Sequence, residues 1–148
     1  MTSLHLAGPE DLQRLLPMVA AFHGEMEIDQ TDEIRARALS VLLDGSEHGV
    51  VYLIGPVRSP IGYVVICFGW SLEFGGLDGF VDEIWIRPGV RGRGIGGEVL
   101  SILPKALAQA GLTALHLEVK RDDPRTVAFY RKQKFAPREQ YMLMTRRF

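Results

Sequence analysis

The residues best equipped for chemistry lie in one run, 80–97, Phe-Val-Asp-Glu-Ile-Trp-Ile-Arg-Pro-Gly-Val-Arg-Gly-Arg-Gly-Ile-Gly-Gly. Two adjacent carboxylates, Asp82 and Glu83, open an apolar, β-branched segment, and a glycine-rich turn carrying Arg91 and Arg93 follows it. Glycines allow positive φ and close approach of a ligand to the backbone, and the free N–H groups at a helix start attract anions. The run therefore reads as a strand, a phosphate-binding turn and a helix start, with proton acceptors on the strand. Neighbouring strand residues point to opposite faces, so only one of Asp82 and Glu83 enters a given cleft unless a bulge changes the parity. Further along, Tyr130 offers a hydroxyl that can give a proton or a hydrogen bond. Phe129 beside it is turned away by about a third of a helical turn.

The chain that must position these groups has 148 residues, the size of one domain with a real core, so a single domain over 1–148 is expected. Its 47% hydrophobic and 24% charged residues are an ordinary globular balance. No apolar run reaches the roughly 18 residues needed to span a bilayer, and the opening residues lack the basic and apolar regions of a signal peptide. A cytoplasmic protein without a membrane partner is expected. A net charge of -1 gives no support to nucleic-acid binding. Cys67 is alone, within Val-Val-Ile-Cys-Phe, and reads as a small buried hydrophobe. His5, His48 and His116 are dispersed, so no metal site emerges.

The elements follow from periodicity. A short strand over 4–6 precedes a helix in which Leu12, Leu15, Leu16, Val19, Phe22 and Met26 recur at helical spacing. Thr31 caps a second helix with Ile34, Ala38, Val41 and Leu42 inward, closed by Gly45. Residues 50–54 and 61–68 form a hairpin around a Gly-Pro turn, 69–79 is a glycine-rich loop, and the strand at 80–87 completes a meander. A helix runs from about Gly94 to Gly111, with Pro104 expected to kink it or distort a turn. A strand over 114–119, a helix from Asp123-Pro124 through Phe135 and a last strand over 140–144 finish the chain. The crossover predicts that 114–119 lies parallel to 80–87, with the glycine turn at a strand's carboxyl end.

No Gly-Lys-Ser/Thr follows the glycines, so a P-loop is disfavoured. Gly92, Gly94 and Gly97 match G-x-G-x-x-G, and Glu118 sits near the spacing of a ribose-binding acid. That match falls after an antiparallel meander, with too little chain left for a dinucleotide fold. The same residues also spell R-x-x-G-x-G, from Arg91 to Gly96. This turn resembles the acetyl-CoA loop of the GNAT-type N-acetyltransferases. The element order and the later segment Asp-Pro-Arg-Thr-Val-Ala-Phe-Tyr, ending at Tyr130, extend the likeness over nearly the whole chain.

The resemblance implies an α+β fold, a mostly antiparallel mixed sheet of six or seven strands flanked by about four helices. It implies acetyl-CoA as the acetyl donor, with Ile84, Trp85 and Ile86 pairing with pantetheine and Arg91, Gly92, Arg93, Gly94, Ile95, Gly96 and Gly97 around the pyrophosphate. It also places Asp123, Thr126 and Phe129 on the cofactor. Asp123 replaces the family's usual asparagine, which affects one cofactor hydrogen bond, and Lys134 replaces its usual glycine before Phe135.

Transfer of an acetyl group to an amine needs a base, an oxyanion donor and an acid for the thiolate. The family register favours Asp82 as base, with Glu83 as the alternative; Tyr130 is the acid, and a strand N–H near Trp85 or Ile86 is the oxyanion donor. His23, Glu25, Glu27 and Glu73 are candidates for the acceptor wall, which would suit a small cationic primary amine. The alternatives are a protein N-terminal or lysine acetyltransferase and a non-catalytic acyl-CoA-binding module. The apolar last strand could pair with a second copy, giving a homodimer.

Overall fold

In the computed structural model, which describes residues 2–148, the N-terminal segment forms strand β1 (Leu4–Leu6) and then helix α1 (Leu12–Glu25). The buried Asp11 carboxylate anchors the helix start, accepting the Gly8 N–H at 2.9 Å and pairing with Arg14 at 3.0 Å. Leu15, Met18 and Val19 form its buried stripe. Helix α2 (Asp32–Leu43) is capped by the Thr31 hydroxyl, which accepts the Ile34 N–H at 3.2 Å. Its inward face is only partly the one expected. Leu39 and Leu43 are buried and Leu42 packs half-buried against the core, whereas Ile34, Ala38 and Val41 are exposed. The face runs at steps of four residues back to Arg35, so the core contacts of two leucines set the phase and carry Arg35 inward.

Strands β2 (Gly49–Ile54), β3 (Gly62–Ser71) and β4 (Gly76–Ile86) form the antiparallel meander. Residues 69–79, expected as a loop, instead extend both strands, with Gly69 opposite Asp78 and Ser71 opposite Gly76. Pairing overrides the glycines because both strands continue in register to a short turn. Gly62 has a steric reason: a Cβ there would run into the carbonyl oxygen of Trp85. Helix α3 (Ile95–Gln109) continues through Pro104, and β5 (Ala114–Leu117) lies parallel to β4, as the crossover predicts.

Among the described residues the sheet has five strands, in the order β1-β2-β3-β4-β5. Leu15, Met18, Leu39 and Leu43 of α1 and α2 pack against Val51, Leu53, Tyr63, Val65 and Trp85 on one face. On the other, Val99, Leu103 and Leu107 of α3 pack against Val64, Ile66 and Val81.

The chain divides into two units, Met1–Leu117 and Glu118–Phe148. The second contains helix α4 (Pro124–Lys132) and an irregular C-terminal segment. The strand expected over 140–144 does not form, and the count is five rather than six or seven. A strand exists only by pairing; no strand among the described residues pairs with this segment, and Tyr141, Met142, Leu143 and Met144 are exposed. No described helix is long and apolar enough to cross a membrane.

Candidate active site

The register of β4 breaks at the two carboxylates. Val65 pairs with Glu83 and Ile66 with Val81, leaving Asp82 as the extra residue of a β-bulge. The bulge changes the parity. Val81 and Ile84, three residues apart, both pack on the α3 face. Trp85 lies on the face of α1 and α2, where the Glu83 carboxylate meets Tyr63. The charges of both Asp82 and Glu83 act on Tyr63 and Cys67, and Asp82 is itself influenced by His23. The face of the sheet that carries α1 and α2 therefore receives both carboxylates, which a regular strand would have separated.

Their settings differ. Glu83 accepts the Tyr63 hydroxyl at 2.8 Å on Oε1 and faces His23 Nε2 at 2.6 Å on Oε2. The Asp82 carboxylate has no hydrogen bond or ion pair among the described residues; partial desolvation raises its carboxyl above the ordinary range, against a smaller lowering by His23. Burial, reinforced by Glu83, pushes the Tyr63 hydroxyl far above a tyrosine's usual range. Burial likewise pushes the Cys67 thiol up to about 11, which keeps it protonated and unreactive at neutral pH.

The acceptor-wall candidates separate. His23 is buried, with Nε2 on Glu83 and Nδ1 accepting Arg35 Nε–H at 2.9 Å, so neither ring nitrogen is open to a ligand. Glu25, at the negative end of α1, accepts Trp85 Nε1–H at 3.1 Å and Arg91 at 2.9 Å on each oxygen. Glu27 is exposed and holds φ 56. That left-handed conformation closes α1 by a Schellman turn, with Ile28 N–H on His23 O at 2.8 Å and Glu27 N–H on Gly24 O at 3.3 Å. Glu73 lies in the β3–β4 turn, in the same unit.

The pairing of β5 with β4 ends at Val81 opposite Leu117. Beyond it, residues 83–86 are paired with β3 on one edge and with no described strand on the other. Immediately after this open edge, Gly92 and Gly94 take φ 78 and φ 80, values that a side chain would strain. Glu98 N–H makes the first helical bond of α3, to Gly94 O, so the N–H groups of Ile95, Gly96 and Gly97 precede it at the positive helix end. Arg91 and Arg93 are exposed beside them, and Arg91 Nε also donates to Ile86 O at 2.7 Å. An exposed backbone edge leading into an anion-seeking turn suits an amide-bearing chain that ends in phosphates.

Within the second unit, Asp123 caps α4: it accepts the Thr126 N–H at 3.2 Å and hydroxyl at 2.7 Å, and the hydroxyl chiefly holds its carboxyl below the usual range. Tyr130 packs against Phe129 and Phe135, with ring centroids 5.3 and 6.0 Å away. Burial, with a smaller contribution from Asp123, raises its hydroxyl above the ordinary tyrosine value.

Two further residues, Tyr63 and Arg35, join these groups through hydrogen bonds. Tyr63 is the one hydroxyl in an otherwise apolar strand run, a position that demands a buried acceptor. Arg35 was hidden by the misjudged phase of α2.

Comparison with known proteins agrees with this geometry. A curated relative, the "IAA acetyltransferase" of Azospirillum brasilense, is 36% identical over 77 residues, covering 52% of this chain and 50% of the relative. The chain thus spans about half the length of that relative. Integron cassette protein HFX_CASS3, from the mobile metagenome of Cole Harbour salt marsh, superposes with a TM-score of 0.83 at 27% identity, covering 97% of this chain and 89% of the other. The aminoglycoside acetyltransferase meta-AAC0020 from an uncultured soil metagenomic sample, crystallised with sisomicin, has TM-score 0.81 at 13% identity, over 99% and 96% of the two chains, and so shares the fold. The family model for acetyltransferases of the GNAT type matches residues 12–135. With most of its length inside that match, the chain belongs to the acetyltransferase (GNAT) family.

Proposed function

We propose that the protein transfers an acetyl group from acetyl-CoA to the primary amine of a small, cationic molecule, by direct attack with both substrates bound. The open edge at 83–86, running into the turn of Gly92 and Gly94, carries this reading. Ile84, Trp85 and Ile86 would hold the pantetheine amides through their backbone. Arg91, Arg93 and the N–H groups around Gly94 to Gly97 would hold the pyrophosphate. In the second unit, the same reading gives Asp123, Thr126 and Phe129 contacts with the cofactor; Asp123, spent as a helix cap, can only accept. The family match crosses the boundary between the two units, which supports their acting as one domain.

Acetyl-CoA, when bound, supplies an activated thioester: the amine nitrogen forms a bond to its carbonyl carbon, and the carbon–sulfur bond breaks. The chain's own residues manage the protons. A free amine is mostly protonated at neutral pH and must lose a proton before it can attack. Asp82 takes it, since its carboxylate is unengaged and its raised proton affinity brings it nearer the working pH. An N–H on the open edge near Trp85 or Ile86 polarises the carbonyl. The bonded nitrogen still carries a surplus proton and sheds it to water as the carbon–sulfur bond breaks, while the Tyr130 hydroxyl would give its proton to the departing sulfur and regain one from water. Asp82 and the exposed Glu27 give the acceptor side a negative character that favours a cation; Glu25 contributes less, because Arg91 neutralises it.

A thermal-shift comparison tests the cofactor half. Acetyl-CoA at about 100 times its Kd should stabilise the fold by roughly 2.7 kcal/mol, and NAD should leave it unchanged. Stabilisation by NAD alone would reverse the choice of cofactor.

A further inference from the structure

Four side chains from four elements form a continuous chain of hydrogen bonds behind the bulge: Arg35 from α2, His23 from α1, Glu83 from β4 and Tyr63 from β3. Each end of that chain dictates the next link. A guanidinium Nε can only donate, so His23 Nδ1, 2.9 Å away, has to accept. A ring nitrogen that accepts carries no proton; the ring proton therefore sits on Nε2, where it is donated to Glu83 Oε2 at 2.6 Å. The Tyr63 hydroxyl fills the other oxygen. Arg35 is itself oriented by Asp32 at 2.8 Å. The side chains of Arg35, His23 and Glu83 are only 12%, 11% and 15% exposed, so solvent does little to replace a lost partner.

We propose that Arg35 is a positioning residue of the acyl-transfer site: by fixing His23 as the Nε2–H tautomer it fills Glu83 with protein donors and leaves Asp82 as the single carboxylate of the bulge open to the amine's proton. This assignment rests on the acetyl-transfer reading, and it divides labour between two adjacent acids that the bulge turns toward one face of the sheet. Without Arg35, Nδ1 is free to take up a second proton while Glu83 keeps the one on Nε2. The resulting imidazolium sets a positive charge beside the two carboxylates and weakens Asp82 as the acceptor of the amine's proton.

The test is long-range 1H–15N NMR on the full chain labelled at histidine, with His23 assigned by its loss in His23→Gln. Wild type should show His23 as the Nε2–H tautomer. Arg35→Met should lose that signature and lower kcat about tenfold, the scale seen when a partner behind a functional group is removed, while the Kd for acetyl-CoA stays within about twofold. Arg35→Lys, which keeps a cationic donor, should retain the tautomer and recover part of kcat. An Nδ1–H or doubly protonated His23 in wild type overturns the proposal, as does an Arg35→Met protein with an altered tautomer and unchanged kcat. If Arg35→Met does not fold, the wild-type spectrum and Arg35→Lys still decide. Absence of acyl transfer in wild type would instead overturn the activity reading, and the spectrum would still settle the tautomer.

Discussion

In the proposed mechanism Asp82 combines a stability cost with a chemical use. Desolvation raises its carboxyl, so between the unfolded and folded values the native state binds more protons, and stability falls as pH rises through that window. Above it, the ionised group is a net burden on the fold. Asp82→Asn should therefore raise the Tm at pH 7 and have little effect near pH 3, while lowering kcat by about 10²-fold or more. A Tm that falls at pH 7 would show Asp82 to be a structural anchor. Lys134 gives a cleaner case of residue-scale strain. It holds φ 71 in the turn that closes α4, with Phe135 N–H on Tyr130 O at 3.1 Å, where the family resemblance expects glycine. Lys134→Gly should stabilise the protein by ~1 kcal/mol in urea titration; a loss of stability would mean that the lysine side chain compensates the strain. Both effects were hidden in the sequence for one reason: a carboxylate's surroundings and a residue's φ are set by the fold around it.

Among the elements, the meander and the crossover were legible because continuous apolar, β-branched runs and the Gly-Pro and Pro-Gly stops give a strong local signal. The bulge was not. It depends on how Val65 and Ile66 meet β4, a cross-strand relation that no local pattern encodes. The phase of α2 failed similarly, since its apolar residues allow more than one face and packing chose Leu39 and Leu43. The start of α3 is the element on which the proposed acetyl-CoA binding turns. Gly94→Ala forces a side chain into φ 80, a strain of ~1–2 kcal/mol. It should weaken acetyl-CoA binding by about tenfold in calorimetry, leaving the His23 tautomer unchanged. Full affinity in Gly94→Ala would take the turn out of the phosphate site.

For the molecule as a whole, the sequence carried the fold class and the proposed cofactor turn further than the proposed acceptor side. The turn is a dense local motif of glycines and arginines, whereas the acceptor-wall candidates are scattered over α1, the residues just after it and the β3–β4 turn. Only the structure shows that His23 is used internally and that Glu25 is held by Arg91 and Trp85. The strand expected over 140–144 is absent because apolar composition there signals a need for pairing without supplying a partner. The central claim is acetyl transfer to a small amine, and the most direct measurement is CoA release from acetyl-CoA across a panel of amines, with products identified by mass. The account predicts acetylated products from cationic primary amines, a large loss of turnover in Asp82→Asn, and a comparable loss in Tyr130→Phe with acetyl-CoA binding intact. Turnover confined to peptide N-termini or to neutral and anionic amines, or undiminished in both variants, would contradict it.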